Sequence, residues 1–215
     1  MKPVNTKPYH HGNLPVELVR VGLELAQEGG VAAIKLREVA RRAGVSPAAA
    51  YRHFSGQEDL INAVKAAALE QLTLAMTSKV DSLPARATPH DRICGAAQGY
   101  FDFAVNSNQL YPALMETVNT VPHMDDSVRA KVPVDFAAVE QRFPADRFPF
   151  TYILKLLSET TVAPTELVDV TLVLWSTVHG LSLLCSTGAL RDVSPAHKQK
   201  LYEMAMNSIF AGLEI

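Results

Sequence analysis

"REVARRAGVSPAAAYRHF", residues 37–54, decides the fold. It gathers four arginines and a histidine around one Gly-Val-Ser-Pro corner. Entering it, Leu36, Val39, Ala40 and Ala43 recur at i, i+3, i+4 and i+7, the buried face of a short helix. Gly44 supplies the left-handed residue that stops this helix. Ser46 then caps a second helix, with Pro47 at its first position, where the missing N–H costs nothing. That helix is expected to end near residues 54–56, with Tyr51 and His53 two apart on it, polar tips outward, and Phe54 turned inward. Two short helices around a tight, glycine-containing turn form a helix-turn-helix, whose second helix enters the major groove of DNA.

The chemistry agrees with that geometry. Ser46 and the first N–H groups of its helix make a terminus suited to phosphate. Arg37, Arg41 and Arg42 leave the buried stripe and are free to face a nucleic-acid backbone; Arg52 adds to the same basic surface. Charge is also unevenly shared along the chain. Residues 1–56 hold eight Lys/Arg against four Asp/Glu, while residues 57–215 hold twelve against eighteen, so +4 and −6 recover the net −2. A basic first quarter on an acidic body points to a polyanionic partner at one end only.

Outward from the corner, helical periodicity recurs from end to end and strand-like alternation does not persist. Asn13 is expected to cap a first helix with Leu14, Leu18, Val21 and Leu25 as its stripe, ended by Gly29-Gly30. A long helix over about 57–80 carries Leu60, Ile61, Val64, Ala68, Leu72 and Ala75 on one side and serves as a connector. Further helices are expected over 91–106, 109–119, 165–186 and 195–212. Pro122, Pro133, Pro144 and Pro149 break residues 120–149 into short helices and loops. The fold class is therefore all-α: a DNA-binding helix-turn-helix domain over residues 1–56, with 1–12 as a flexible arm, and a ligand-binding and dimerisation domain over 57–215.

Bulk properties restrict the alternatives. With 48% hydrophobic and 20% charged residues the chain suits a globular protein with a real core. The N-terminus lacks the apolar run of a signal peptide, and two cysteines, Cys94 and Cys185, make no disulfide framework, so a cytoplasmic protein is expected. Residues 170–190 contain no Asp, Glu, Lys or Arg and are long enough to span a bilayer. Ser176, Thr177, His179, Gly180, Ser182, Ser186 and Thr187 favour a buried or interfacial helix instead. No GxSxG, HExxH, Walker or GxGxxG pattern is present, so no enzyme activity, cofactor or metal is expected. A helical small-molecule-binding protein or enzyme without a DNA role is the alternative; it leaves the Tyr51–His53 corner unexplained.

"LREVARRAGVSPAAAYRHFSGQEDL", residues 36–60, resembles the DNA-binding domain of TetR-type bacterial transcriptional regulators. "YHHGNL" (9–14), "NSNQLYPALM" (106–115) and "WSTVHG" (175–180) resemble a subgroup with a Trp…His-Gly C-terminal domain. The resemblance implies an all-helical homodimer that binds operator DNA and answers to a small-molecule effector. By position, Tyr51 and His53 contact phosphates, Pro47 and Ala48 approach base edges, and Arg37 sits at the groove margin. Gln57 stands where such regulators often carry lysine, which weakens one phosphate contact. Ala48, Ala49 and Ala50 offer methyl contacts but no bidentate hydrogen bonds. The implied effector site draws on Tyr100, Phe101, Phe103, Leu110, Tyr111, Met115, Trp175 and His179. His179 either packs beside Trp175 and Gly180 or meets the polar head of the ligand. The two C-terminal helices would pair with those of a second copy, Gly180 permitting close approach.

Overall fold

The computed structural model describes residues 13–107, 109–115 and 148–213. The described elements are helices α1 (Leu14–Gly29), α2 (Leu36–Arg42), α3 (Pro47–Tyr51), α4 (Gln57–Asp81), α5 (Pro89–Asn106), α6 (Leu110–Met115), α7 (Pro149–Ser158), α8 (Leu167–Ser186) and α9 (Pro195–Leu213), with a 3₁₀ turn at Val31–Ala33. The fold is all-α. The chain forms two compact units that meet in sequence within α4, Met1–Ala67 and Ala68–Ile215.

In the first unit most of the apolar stripe predicted for each of α1 and α2 becomes the core, while Leu14 and Ala43 stay partly exposed. Leu18, Val21, Leu25, Val39 and Ala40 are buried, together with Ile34, Ala50, Phe54, Leu60 and Val64. Each Leu, Val, Ile or Phe side chain among them contributes about 1.5–3 kcal/mol on removal from water. Gly22 lets α1 approach α4: a Cβ there would stand 2.4 Å from Val64 Cγ2. Gly30 and Gly44 take positive φ, 67° and 72°, as the helix-stopping role requires.

Two local expectations fail. Asn13 stands at the N-cap of α1, but its side chain makes no capping hydrogen bond; only its carbonyl is engaged, by Glu17 N–H at 3.1 Å. Its ψ of 45° departs from the extended backbone that aims a capping side chain at the first turn. His53 is also not on the recognition helix. α3 closes at Tyr51, and Arg52, His53 and Phe54 turn back through hydrogen bonds to Ala49 and Ala50 carbonyls. Burial of Phe54 fixes that turn.

In the second unit α5 packs against α7 and α8, and α8 also packs against α6 and α9. α5 begins at Pro89 with a complete capping box: Asp91 N–H donates to Thr88 Oγ1 and Thr88 N–H to Asp91 Oδ2. Gly99 brings α5 onto α4, since a Cβ there would lie 2.5 Å from the Ala75 carbonyl oxygen. α7 was not foreseen. Pro149, counted as a helix breaker, occupies its first turn, where proline is at home. Most of the region expected to hold short helices, 120–149, and the end of the helix expected over 109–119 lie outside the described residues.

α8 is long and apolar enough by composition to cross a bilayer. Here Leu167, Thr171, Leu174, Trp175, Val178, Ser182 and Cys185 form its buried face within the unit.

Candidate nucleic-acid interface and effector site

The exposed side of the helix-turn-helix is built by exclusion. Leu36, Val39, Ala40, Ala50 and Phe54 point into the core, which leaves Arg37, Ser46, Pro47, Ala48, Tyr51, Arg52 and His53 on the surface. Tyr51 is half exposed, an unusual state for an aromatic side chain. Ser46 accepts a hydrogen bond from Ala49 N–H at 3.2 Å, so its hydroxyl is already engaged in positioning α3. Gly44 shapes the corner: Val45 N–H reaches the Ala40 carbonyl at 3.0 Å, closing the end of α2.

The arginines divide into two kinds. Arg41 donates twice to Glu38, and Arg42 donates to both Glu38 and Glu28, the latter at 2.7 and 2.8 Å. The Arg42–Glu28 pair ties α2 to α1, and hydrogen bonds from Arg41 and then Arg42 hold the Glu38 carboxyl down to about 2. Among the described residues no ion pair engages Arg37 or Arg52. Arg37 and Arg52 therefore carry uncompensated charge, while Arg41 and Arg42 share theirs with carboxylates. Lys35, exposed at the N-cap of α2, joins the first kind and was missed from sequence.

The second site gathers side chains from α5, α6, α7 and α8. The Tyr100 and Tyr111 hydroxyls lie 3.1 Å apart, and His179 Nδ1 lies 2.8 Å from the first and 3.2 Å from the second. Trp175 stacks on the His179 ring, centroids 6.0 Å apart and planes 10° from parallel. Tyr100 and Phe150 meet Trp175 edge-on at 5.1 and 6.0 Å. Burial raises both phenols, Tyr111 to about 12 and Tyr100 well above its ordinary range, and lowers His179. All three groups are neutral at physiological pH. Ser182 Oγ is buried beside Tyr111, at a geometry short of a full hydrogen bond. Against this cluster lies an apolar void of about 10 Å³, lined by Met76, Ala97, Tyr100, Ile153, Leu174, Trp175 and Val178.

Four of the residues singled out from sequence thus converge: Tyr100, Tyr111, Trp175 and His179. His179 packs on Trp175, and its polar partners here are the hydroxyls of Tyr100 and Tyr111. Phe101 turns the other way and stacks on Tyr202 of α9 at 5.1 Å. Leu110 is buried, whereas Phe103 and Met115 are half-buried, and none of the three joins the ring contacts around Trp175. Phe150 and Ser182 belong to the cluster and were missed. Ser182 was legible, three residues beyond His179 and seven beyond Trp175 on one helical face; Phe150 lay in a helix not foreseen. Cys94 is half-buried and raised by burial to about 11, and Cys185 is raised by the same cause, so neither is an activated thiol.

Comparison with known proteins bears on both sites. Residues 18–64 match the family described as "Bacterial regulatory proteins, tetR family", and residues 93–209 match "Tetracyclin repressor-like, C-terminal domain". That second description does not name the Trp…His-Gly subgroup. No curated protein matches the chain. Among solved structures, a protein of unknown function from Rhodococcus sp. RHA1 is similar at 24% identity and TM-score 0.69, over 97% of this chain and 99% of that one. A transcriptional regulator from the same organism aligns at 21% identity and TM-score 0.59, covering 94% and 99%. A TetR variant from Acinetobacter baumannii AYE, in complex with minocycline, aligns at 15% identity and TM-score 0.62, covering 96% and 97%. These likenesses concern the fold; the family matches, which together span most of the chain, carry the assignment. With its helix-turn-helix and its helical C-terminal unit both accounted for, the chain belongs to the TetR family of bacterial regulatory proteins.

Proposed function

We propose that this DNA-binding regulator is a repressor, released from a near-palindromic operator by a small hydrophobic or aromatic effector. The observation that carries the DNA half is the exposed set of Arg37, Tyr51, Arg52 and His53, held by a buried corner and uncompensated by carboxylates. Tyr51 and His53 contact phosphates, Pro47 and Ala48 approach base edges, and Arg37 lies at the groove margin. Residues 1–56 act as the reading head and residues 57–215 as the effector and pairing domain. With three alanines on α3, sequence discrimination leans on Arg37, Tyr51 and DNA shape.

Pairing uses α8 and α9. Val173, Leu183, Leu184 and Met204 are exposed large apolar side chains on these helices, and Gly180 opens onto free space. Two copies so joined present two recognition helices, whose spacing must match successive major grooves, about 34–36 Å apart. The effector enters the Tyr100–Tyr111–Trp175–His179 cluster. A void of about 10 Å³ holds about one water. Admitting a larger molecule therefore moves the helices that line it, and that movement changes the spacing of the two heads.

The test is selection of fragmented genomic DNA by the purified protein beside Tyr51→Ala. Enrichment of a short near-palindrome by the wild type alone supports the reading. Equal enrichment by both proteins, or by neither at moderate salt, refutes the proposed interface.

A further inference from the structure

A second recess in the C-terminal unit shares no lining residue with the void beside Trp175. It encloses about 790 Å³, within the range of sites that hold drug-sized molecules. The end of α4 and the loop after it form one wall, α9 forms the other, and α5 lies between them. Gly95 of α5 keeps the recess open: a Cβ there would stand 3.2 Å from Leu83 Cδ1, so a longer side chain would press on the loop wall. Tyr202 fixes the α9 side. Its hydroxyl donates to the Cys94 carbonyl at 3.0 Å and its ring stacks on Phe101. A chain of polar contacts ties the three helices together. Lys79 pairs with Asp102 at 3.0 Å, Gln98 donates to Asp102 at 2.7 Å, Gln98 and Gln199 exchange amide hydrogen bonds at 3.1 Å, and Gln199 donates to Glu203 at 3.1 Å.

Two cations and two carboxylates line the cleft, and their charges are not equally spent. Lys79 gives its charge to Asp102, which lies outside the lining. Among the described residues no ion pair engages Arg86, Asp91 or Glu203. Hydrogen bonds from Thr88 hold Asp91 below the ordinary carboxylate range, so it stays ionised. Two carboxylates thus face one unspent cation. The half-buried and buried groups between them sense the same sign: Cys94 is raised by burial and then by Asp91, and Tyr202 by burial and then by Cys94, Asp102 and Glu203. Leu83, Pro84, Met206 and the Tyr202 ring supply apolar surface to the same lining. Charge complementarity therefore asks for a positive head on an apolar body.

We propose that this cleft is a second ligand site, for an amphipathic molecule whose ammonium faces Glu203 and whose apolar body lies on Leu83, Tyr202 and Met206. The site stands apart from the effector cluster and does not depend on it. Met204, on the proposed pairing face, is two positions from Met206 and so about 200° around α9 from it, which gives the seam and the cleft different faces of that helix.

The two sites carry separate reporters. Methionine-methyl ¹³C labelling gives Met206 a signal at the cleft, identified by its loss in Met206→Leu, and the single tryptophan gives one indole N–H signal at the other site. Three probes sharing one ring system are titrated: 2-naphthylmethylammonium, 2-naphthylmethanol and 2-naphthoate. The ammonium is expected to shift the Met206 methyl and to bind about fivefold tighter than the alcohol, the upper yield of one solvent-facing ion pair. The carboxylate is expected to bind more weakly than the alcohol. In Glu203→Gln, which can still accept the hydrogen bond from Gln199, the ammonium loses its advantage. Tightest binding by the carboxylate, or an ammonium preference that survives in Glu203→Gln, overturns the assigned chemistry. If no probe moves the Met206 methyl, the site itself falls; an indole shift in that case leaves the effector reading standing alone. A Met206 signal that ignores every probe but moves on dilution of the protein gives the cleft to a second copy and also overturns the proposal.

Discussion

At the scale of single residues, neighbouring arginines have different work. Arg37 has no carboxylate partner among the described residues, whereas Arg42 bridges Glu28 and Glu38. A DNA phosphate approaching Arg42 must displace carboxylates, and one approaching Arg37 displaces only water and ions. Arg37→Ala is therefore expected to reduce the slope of log affinity against log salt by about 0.9, one phosphate contact. Arg42→Ala should leave that slope unchanged and lower the melting temperature; equal slopes for both variants would refute the division. His179 gives a second residue-scale expectation. Burial lowers its pKa from the ordinary 6.5, so between the two values the unfolded chain binds more protons than the folded one. Its contribution is constant above pH 6.5 and falls as the pH drops below it. Fluorescence of Trp175, stacked on this ring, should likewise hold constant above pH 6.5 and be quenched at a pH lower than for an exposed Trp–His pair. A midpoint at or above 6.5 would show that the imidazole is not shielded.

At the scale of elements, the helices declared by periodicity and by glycine or proline punctuation were legible. α1, α2, α4, α5, α8 and α9 fall within a few residues of their expected bounds. The failures share a cause: each depends on something not local. α7 was hidden because Pro149 reads as an interruption until a helix is seen to start there. His53 left α3 because burial of Phe54 pulls the chain into a turn. Arg42 finds Glu28 on another helix, beyond the reach of i, i+3 and i, i+4 reasoning. The candidate site was half legible for the same reason. Aromatic content marked Tyr100, Tyr111, Trp175 and His179, but only the packing of α5, α6 and α8 turns Phe101 away and closes the triangle of polar atoms. Packing between elements also yields a prediction. Gly99 sits where any Cβ meets α4 backbone, 2.5 Å from Ala75 O and 2.7 Å from Met76 Cα, and no flexible side chain is there to yield. Gly99→Ala should cost about 1–3 kcal/mol by urea denaturation, although alanine is the better helix former. An unchanged or raised midpoint would mean that α4 and α5 have room to part.

At the scale of the whole molecule, the protein acts as a dimer, as TetR-family regulators do, and the proposed seam can be tested without disturbing the protomer. Gly180 lies on α8 with nothing within 4 Å of where its Cβ would be. Gly180→Leu should stabilise the isolated helix by about 0.8–1 kcal/mol, since glycine is the poorer helix former. In the paired molecule the same side chain stands in the way of the partner. Sedimentation should show a folded, monomeric variant that no longer holds its operator; a dimer that binds normally would move the seam elsewhere. The exposed Val173, Leu183, Leu184 and Met204 carry a consequence beyond assembly. A chain that must find its twin before it can read DNA measures its own abundance. Where copies are scarce, the paired form follows the square of their number. Halving the concentration of the chain then leaves about a quarter of the paired form. Operator occupancy would follow supply of the chain more steeply than in proportion, a steepness set by that apolar face.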